Sequence, residues 1–372
     1  MTAAAGDIAQ AGAGNGGPVE EGGLPGAMSM ISLSRMFAIA VVAVCFVFVF
    51  NNFLIFWGGW PGLPAFFSNF SMIGFEPPRT PLGGTAVALG AVEVLLYAGA
   101  IAGTVLYVLR TLERTMHADA ETLSAIVGYI ARAAFWAVLL IGIVDSVISF
   151  LRVEDLLPDL IGVDMAQNID RNTYRGAYVH FPLIAAGFII AALTRGLAFH
   201  WLALLIVIAE FQIVILRFVF SYEQAFMADL VRMWYGALFL FASAYTLAEE
   251  GHVRVDILYA GFSKRGKARA NLLGSVLLGT PLCWVILTMG MWRKSNVING
   301  PLLSFEVTQQ GFGLYVKYLL AGFLLIFAVT MLVQFMSYFL KSAAILLRAP
   351  GSEVDGASPT MAGPGSAANP EH

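Results

Sequence analysis

Five side chains stand out because they are ionisable or strongly polar within otherwise apolar runs: Glu93, Arg132, Asp145, Glu210 and Gln212. In hydrocarbon such a group is costly unless protein, water or a partner meets it. Carboxylates at those positions could carry a coupling cation or proton along a transport path. They could equally make interhelical hydrogen bonds, and Arg132 could extend its head to the membrane edge. Their scatter over three apolar segments favours the structural reading. No pair of segments is interrupted by Gly and Pro in the way that builds a midplane substrate site.

Other chemistries lack their parts. Axial haem ligation needs histidines deep in helices, yet His117, His180, His200 and His252 fall at or near expected helix ends and His372 in the terminal stretch. There is no HExxH pair, no GxSxG elbow and no GxxxxGK[ST] loop. Cys45 and Cys283 both lie in apolar runs, where a thiol acts as a small hydrophobe. The expectation is no catalytic, cofactor or metal site, and no enzyme.

The elements that must hold these side chains are membrane helices. Of 372 residues, 59% are hydrophobic and 12% charged, about half the charge of a soluble domain. A net charge of −3 gives no basic face for nucleic acid. Apolar segments near 36–57, 84–109, 125–150, 178–195, 199–220, 230–248, 270–292 and 313–340 each suit a spanning helix. The fourth and fifth are separated only by a polar break at Thr194, Arg195 and His200. One helix over both would be about 60 Å long, twice the hydrocarbon thickness. The fold class is an all-α integral membrane protein of about eight spans. Residues 1–28 and 346–372 read as disordered Gly/Ala/Ser/Pro-rich tails.

Lys and Arg in the connections divide almost evenly between the two sides. The tight group Lys264, Arg265, Lys267 and Arg269 decides for cytoplasmic termini. The connection near 151–177 instead offsets its arginines with Glu154, Asp155, Asp159, Asp164 and Asp170.

The most distinctive stretch is Glu210 to Tyr259. It reads as a helix ending at Arg217, a short link holding Glu223 and Asp229, a second span, and a polar knot of Glu249, Glu250, Gly251, His252, Arg254 and Asp256. From Val255 to Leu273 apolar and basic residues alternate, which suits a helix or helix-turn lying at the headgroups. The order ILRFVF, then an acidic residue and Arg before a span, then GHVRVD at its far end, then a basic stretch and two more spans, resembles the small membrane (Q, or DctQ-type) subunit of tripartite ATP-independent periplasmic (TRAP) transporters. Asp229 stands where that family commonly has Glu, and Ser243 falls near a common Gly.

The resemblance covers roughly 199–341 and implies a four-helix module over 198–345, with residues 29–197 as an extension of four further helices. It also implies partners: a large membrane subunit that moves substrate by an elevator motion driven by sodium, and a periplasmic solute-binding protein that captures an organic acid. The small subunit scaffolds the large one in the bacterial inner membrane. Arg217, Asp229, Arg232, Gly251, His252, Arg254 and Asp256 carry over as structural or subunit-interface positions, although a solvated helix cap would explain the last three as well. The rival is a self-sufficient secondary carrier using Glu93, Asp145 or Glu210 as the coupling carboxylate. A weaker third reading is a silent anchor subunit of a respiratory complex.

Overall fold

A computed structural model describes residues 25–74, 76–78, 80–194, 199–248, 259, 261–307 and 313–349, and among the described residues the regular structure is helical throughout. In chain order the helices are α1 Pro25–Phe56, α2 Leu63–Asn69, α3 Gly84–Arg110, α4 Met116–Val153, α5 Leu157–Ile161, α6 Val163–Ile169 and α7 Asn172–Arg175. There follow α8 Phe181–Leu193, α9 Phe199–Val219, α10 Ala225–Ala248, α11 Lys264–Leu273, α12 Thr280–Met291, α13 Asn299–Ser304 and α14 Lys317–Leu347. π-Helical turns at Gly176–His180 and Gly274–Gly279 lead into α8 and α12. Among the described residues, 8 stretches are long and apolar enough to cross a bilayer. They correspond in order to the expected segments, and the protein is an all-α integral membrane protein.

Several boundaries differ from the sequence reading, each for a local reason. Helix α1 starts at Pro25, inside the expected tail of residues 1–28, because proline is tolerated in a first turn whose N–H groups have no intrahelical partner. The other end of α14 reaches Leu347, and residues 1–24 and 350–372 lie outside the described residues. Helix α4 begins at Met116 rather than 125. The Thr115 hydroxyl caps it by accepting from the Ala118 N–H, and Asp119 sits in the first turn, so polar residues that lower local hydropathy are helix-starting residues here. Asp229, expected in a link, lies in α10.

The basic stretch is also not a separate headgroup helix. From Lys264 it forms α11, capped by Ser263, and continues through the π turn into the span ending at Met291. The polar knot Glu249–Asp256 lies outside the described residues. Helix α8 ends at Thr194, whose extended backbone (φ −99°, ψ 134°) stops it, and α9 resumes as a second span at Phe199.

The two π turns qualify the expectation that Gly and Pro do not interrupt the spans. Pro182 and Pro281 sit just inside α8 and α12, and proline cannot donate to the turn before it. A one-residue bulge absorbs the missing bond while the helix stays continuous.

Helix α14 is the axis. It packs against α1, α4, α10, α11, α12 and α13, while α4 also packs against α8 and α10. One core joins Ala38, Val42 and Cys45 of α1, Met116 to Val127 of α4, Cys283 and Leu287 of α12, and Leu332, Val333 and Met336 of α14. A second joins Val138 and Ile141 of α4, Leu202 and Ile206 of α9, Met233 and Trp234 of α10, and Phe323 of α14. Helix α4 therefore enters both cores. The crossing of α4 and α8 is close because Gly187 has no side chain: a Cβ there would lie 2.7 Å from the Ala137 backbone nitrogen. Gly99 of α3 faces open space. Gly187→Ala is accordingly expected to cost about 1–3 kcal/mol, read as a lower midpoint of thermal unfolding in detergent, and Gly99→Ala to cost nothing; equal midpoints would contradict the packing.

Candidate functional site

Spans that alternate in direction place the C-terminal ends of α1, α4, α9 and α12 beside the N-terminal ends of α3, α8, α10 and α14. This distal end holds a buried polar group. Asp145, in the last third of α4, is wholly buried. Its Oδ1 lies 3.2 Å from His180 Nε2 and its Oδ2 accepts from the Tyr315 N–H at 3.0 Å. Arg175 Nε is 3.4 Å from Oδ1. On its other side His180 Nδ1 meets the Tyr318 hydroxyl at 2.7 Å. With Asp145 ionised, Nε2 carries a hydrogen, and in a neutral imidazole Nδ1 then accepts from Tyr318.

The π turn makes this arrangement. Arg175 and His180 are five residues apart, which puts them on different faces of an α-helix but nearly above one another where bonds run i→i+5. Gly176 leaves room for the neighbouring ring, since a Cβ there would fall 2.2 Å from Phe305. The Arg175 guanidinium lies over the Tyr315 ring, 4.3 Å from its centroid, and Arg152 approaches the same ring at 4.9 Å. The Arg175 N–H groups have no hydrogen-bond acceptor among the described residues, so the charge is offset by Asp145 and the ring face.

Three side chains then seize three consecutive backbone groups ahead of α14. Arg152 donates to the Gly313 carbonyl, Asp229 accepts from the Leu314 N–H, and Asp145 accepts from the Tyr315 N–H. Asn172 donates to the carbonyls of Ser304 and Phe305. Asn52 and Asn299 both donate to the Met291 carbonyl at 2.7 Å, tying α1 and α13 to the end of α12. Tyr222, between α9 and α10, donates to Glu154, and that bond holds the phenol's pKa above its ordinary value.

The opposite end has its own clamp. Arg35 of α1 is buried and donates through Nε to Asp119 at 2.7 Å and through both terminal nitrogens to Thr111. Arg114 donates to the other Asp119 oxygen at 2.7 Å, and the Tyr107 hydroxyl joins it. Between the two ends Glu93 is buried and accepts from the Gly62 N–H at 3.2 Å.

The residues singled out from the sequence are thus dispersed. Asp229 and Arg232 come together at 3.3 Å, with Asp229 buried and Arg232 exposed. Arg217 is exposed in the last turn of α9, and Glu210 and Gln212 are exposed in its middle. Arg132 is half-buried, one turn from Tyr129, which reaches the Phe188 carbonyl near the end of α8. Gly251, His252, Arg254 and Asp256 lie outside the described residues. The sequence marks Asp145 but presents Arg175 as a loop arginine and His180 as a helix-end residue. It does not single out Tyr315 or Tyr318. Only the Arg-Gly start of a span ahead of a proline hints at the bulge, and nothing local hints at a partner 138 residues away.

The distal group binds backbone and buries its charges, which makes it a lock between helices. Of its members, Asp145, Arg175, His180 and Tyr318 are all 0–2% exposed, beyond the reach of a dissolved solute.

Residues 203–344 match the family model described as tripartite ATP-independent periplasmic transporters, DctQ component. The matched stretch runs from α9 to the last turns of α14, and is a DctQ-component domain. No curated protein and no solved structure matches the chain. The lock crosses the limit of the match: Asp145, Arg152, Arg175 and His180 precede it, whereas Asp229, Tyr315 and Tyr318 lie within it.

Removing one partner of the buried pair should cost more than removing both. Asp145→Leu or Arg175→Met alone is expected to lose about 3–5 kcal/mol, and the double variant less than either single one, as measured by thermal unfolding of the purified chain; a double variant that loses as much as or more than the single ones would contradict this reading of the pair.

Proposed function

We propose that this chain, whose residues 203–344 are a DctQ-component domain, is the small permease subunit of a TRAP transporter and a stationary brace for the large membrane subunit. The observation that carries the reading is the family match, which takes in the axial helix α14 and three further spans. The packing supports a bracing role. Buried charges lock helix ends at both faces of the bundle, and a partner that moves needs a neighbour that does not. The transported solute is an organic acid delivered by a periplasmic binding protein, and the driving force is a sodium gradient acting on the large subunit. Substrate and ions are handled by those partners, and this chain's part is non-catalytic.

The chain sits in the bacterial inner membrane with both termini cytoplasmic. Lys264, Arg265, Lys267 and Arg269 open the seventh span at the same end as the start of α1, which supports that orientation. The extension, residues 29–197, and the module, residues 198–345, act as one body, a reading supported by the share α4 takes in both cores. The self-sufficient carrier is the weaker reading. Of its carboxylates, Asp145 is engaged by an arginine, a histidine and a backbone N–H, Glu93 is buried against Gly62, and Glu210 is exposed on the periphery.

In proteoliposomes the chain alone is expected to give no uptake, and addition of the large subunit, the binding protein and an inward sodium gradient to restore it. Uptake by the chain alone, abolished by Glu93→Gln or Glu210→Gln, would overturn the proposal in favour of the carrier. Deleting residues 1–197 should expose the face of α14 that α4 covers and leave no monodisperse protein on size-exclusion chromatography; a stable, assembling fragment would separate the extension from the module.

A further inference from the structure

Among the described residues, α3 and α9 are the two least buried of the candidate spans. They treat polar side chains in opposite ways. Helix α3 turns Glu93 and Thr104 inward and shows Val92, Leu95, Ile101, Val105 and Leu106 outward, as a lipid-facing helix should. Helix α9 buries Leu202, Ile206 and Ala209 on one face, mainly against α10, and leaves Glu210 and Gln212 exposed on either flank.

Glu210 is close to the middle of this helix, about 16 Å from its first residue and about 14 Å from its last at 1.5 Å per residue. A glutamate cannot extend from that depth to either headgroup layer. Among the described residues no hydrogen bond or ion pair meets its carboxylate. Exposed to acyl chains it would be an expensive residue, while a Leu in its place would stabilise the isolated chain. On the same flank, one and two turns on, stand Val214 and Arg217, both exposed.

We infer that the Glu210 flank of α9 is covered by a spanning helix of the large subunit, which presents a hydrogen-bond donor, a basic or hydroxyl side chain, to the Glu210 carboxylate at mid-depth. The inference rests on the reading that this chain serves a large membrane subunit, and it adds which helix of this chain the partner meets and by what chemistry. Charge complementarity selects the occupant. Lipid tails offer no donor, and a second copy of the same flank would set Glu210 near another carboxylate.

The test uses the full chain co-expressed with the large subunit. Val214→p-benzoylphenylalanine on α9 is expected to photo-cross-link to the large subunit, and Leu95→p-benzoylphenylalanine on α3 is not. Glu210→Leu should raise the unfolding midpoint of the chain purified alone yet lower recovery of the complex several-fold, with Glu210→Gln in between. A residue with a purely structural role within this chain would lower both. A complex that forms without the Val214 cross-link, and that Glu210→Leu leaves intact, sinks the inference while the subunit reading stands. Cross-linking from Val214 to a second copy of this chain, or equal cross-linking from Leu95, also overturns it. No complex and no uptake would fell the subunit reading first and the inference with it.

Discussion

Asp145 and Arg175 bear the constraint on which the distal half of the molecule depends: a carboxylate and a guanidinium held where neither reaches water. Burying two charges is repaid only when each is met by the other and by well-placed dipoles. For Asp145 this recruits α4, the turn before α8 and the start of α14, through His180, Tyr318 and the Tyr315 N–H, while Arg175 is met by Asp145 and the face of the Tyr315 ring. The pair is therefore less a source of net stability than a device for specifying which helix ends meet and at what level. Once α4 and α14 are fixed there, the backbone ahead of α14 has its place, and Asp229 draws in the start of α10.

The clamp at the other end follows the same logic with different parts. Arg35 and Arg114 converge on Asp119, and Thr111 takes the remaining donors of Arg35. With charged groups tied at both faces and apolar packing between them, the bundle has few ways to slide. Relative movement of helices would have to strand a buried charge at one face or the other. That property suits a body against which something else moves. It suits poorly a carrier that must alternate its own helices around a site.

The limit of the family match does not coincide with a limit in packing. Helix α4 precedes the matched stretch, yet it lies along α14 and α10 and supplies Asp145 and Arg152 to the lock. In hydrocarbon this is economical. Helices have little solvophobic drive to associate there, so close packing over glycine, as at Gly187, and buried hydrogen bonds decide the neighbours. The outer helices differ by the same rule. Helix α3 turns Glu93 and Thr104 inward, and α9 leaves Glu210 and Gln212 exposed.

The sequence alone determined that the chain is a membrane protein of about eight spanning helices, because the length of an apolar run is set by the bilayer and can be read without knowing any neighbour. The stretch from Glu210 onward also carried enough order of residues to resemble the small TRAP subunit. What the sequence could not determine were pairings across many residues and the local events that serve them. The early start of α4 was hidden because its first turns are polar, and the carboxylate of Asp119 in them is met by Arg35, Arg114 and Tyr107 from outside the helix. The burial of Arg175 was hidden because a run with an arginine, a glycine and a proline looks like a loop until a π turn aligns it with His180. Position in hydrocarbon is a property of a segment, whereas the worth of a buried charge is a property of what faces it, and only the tertiary structure brings Asp145 to Arg175 and leaves Glu210 facing outward.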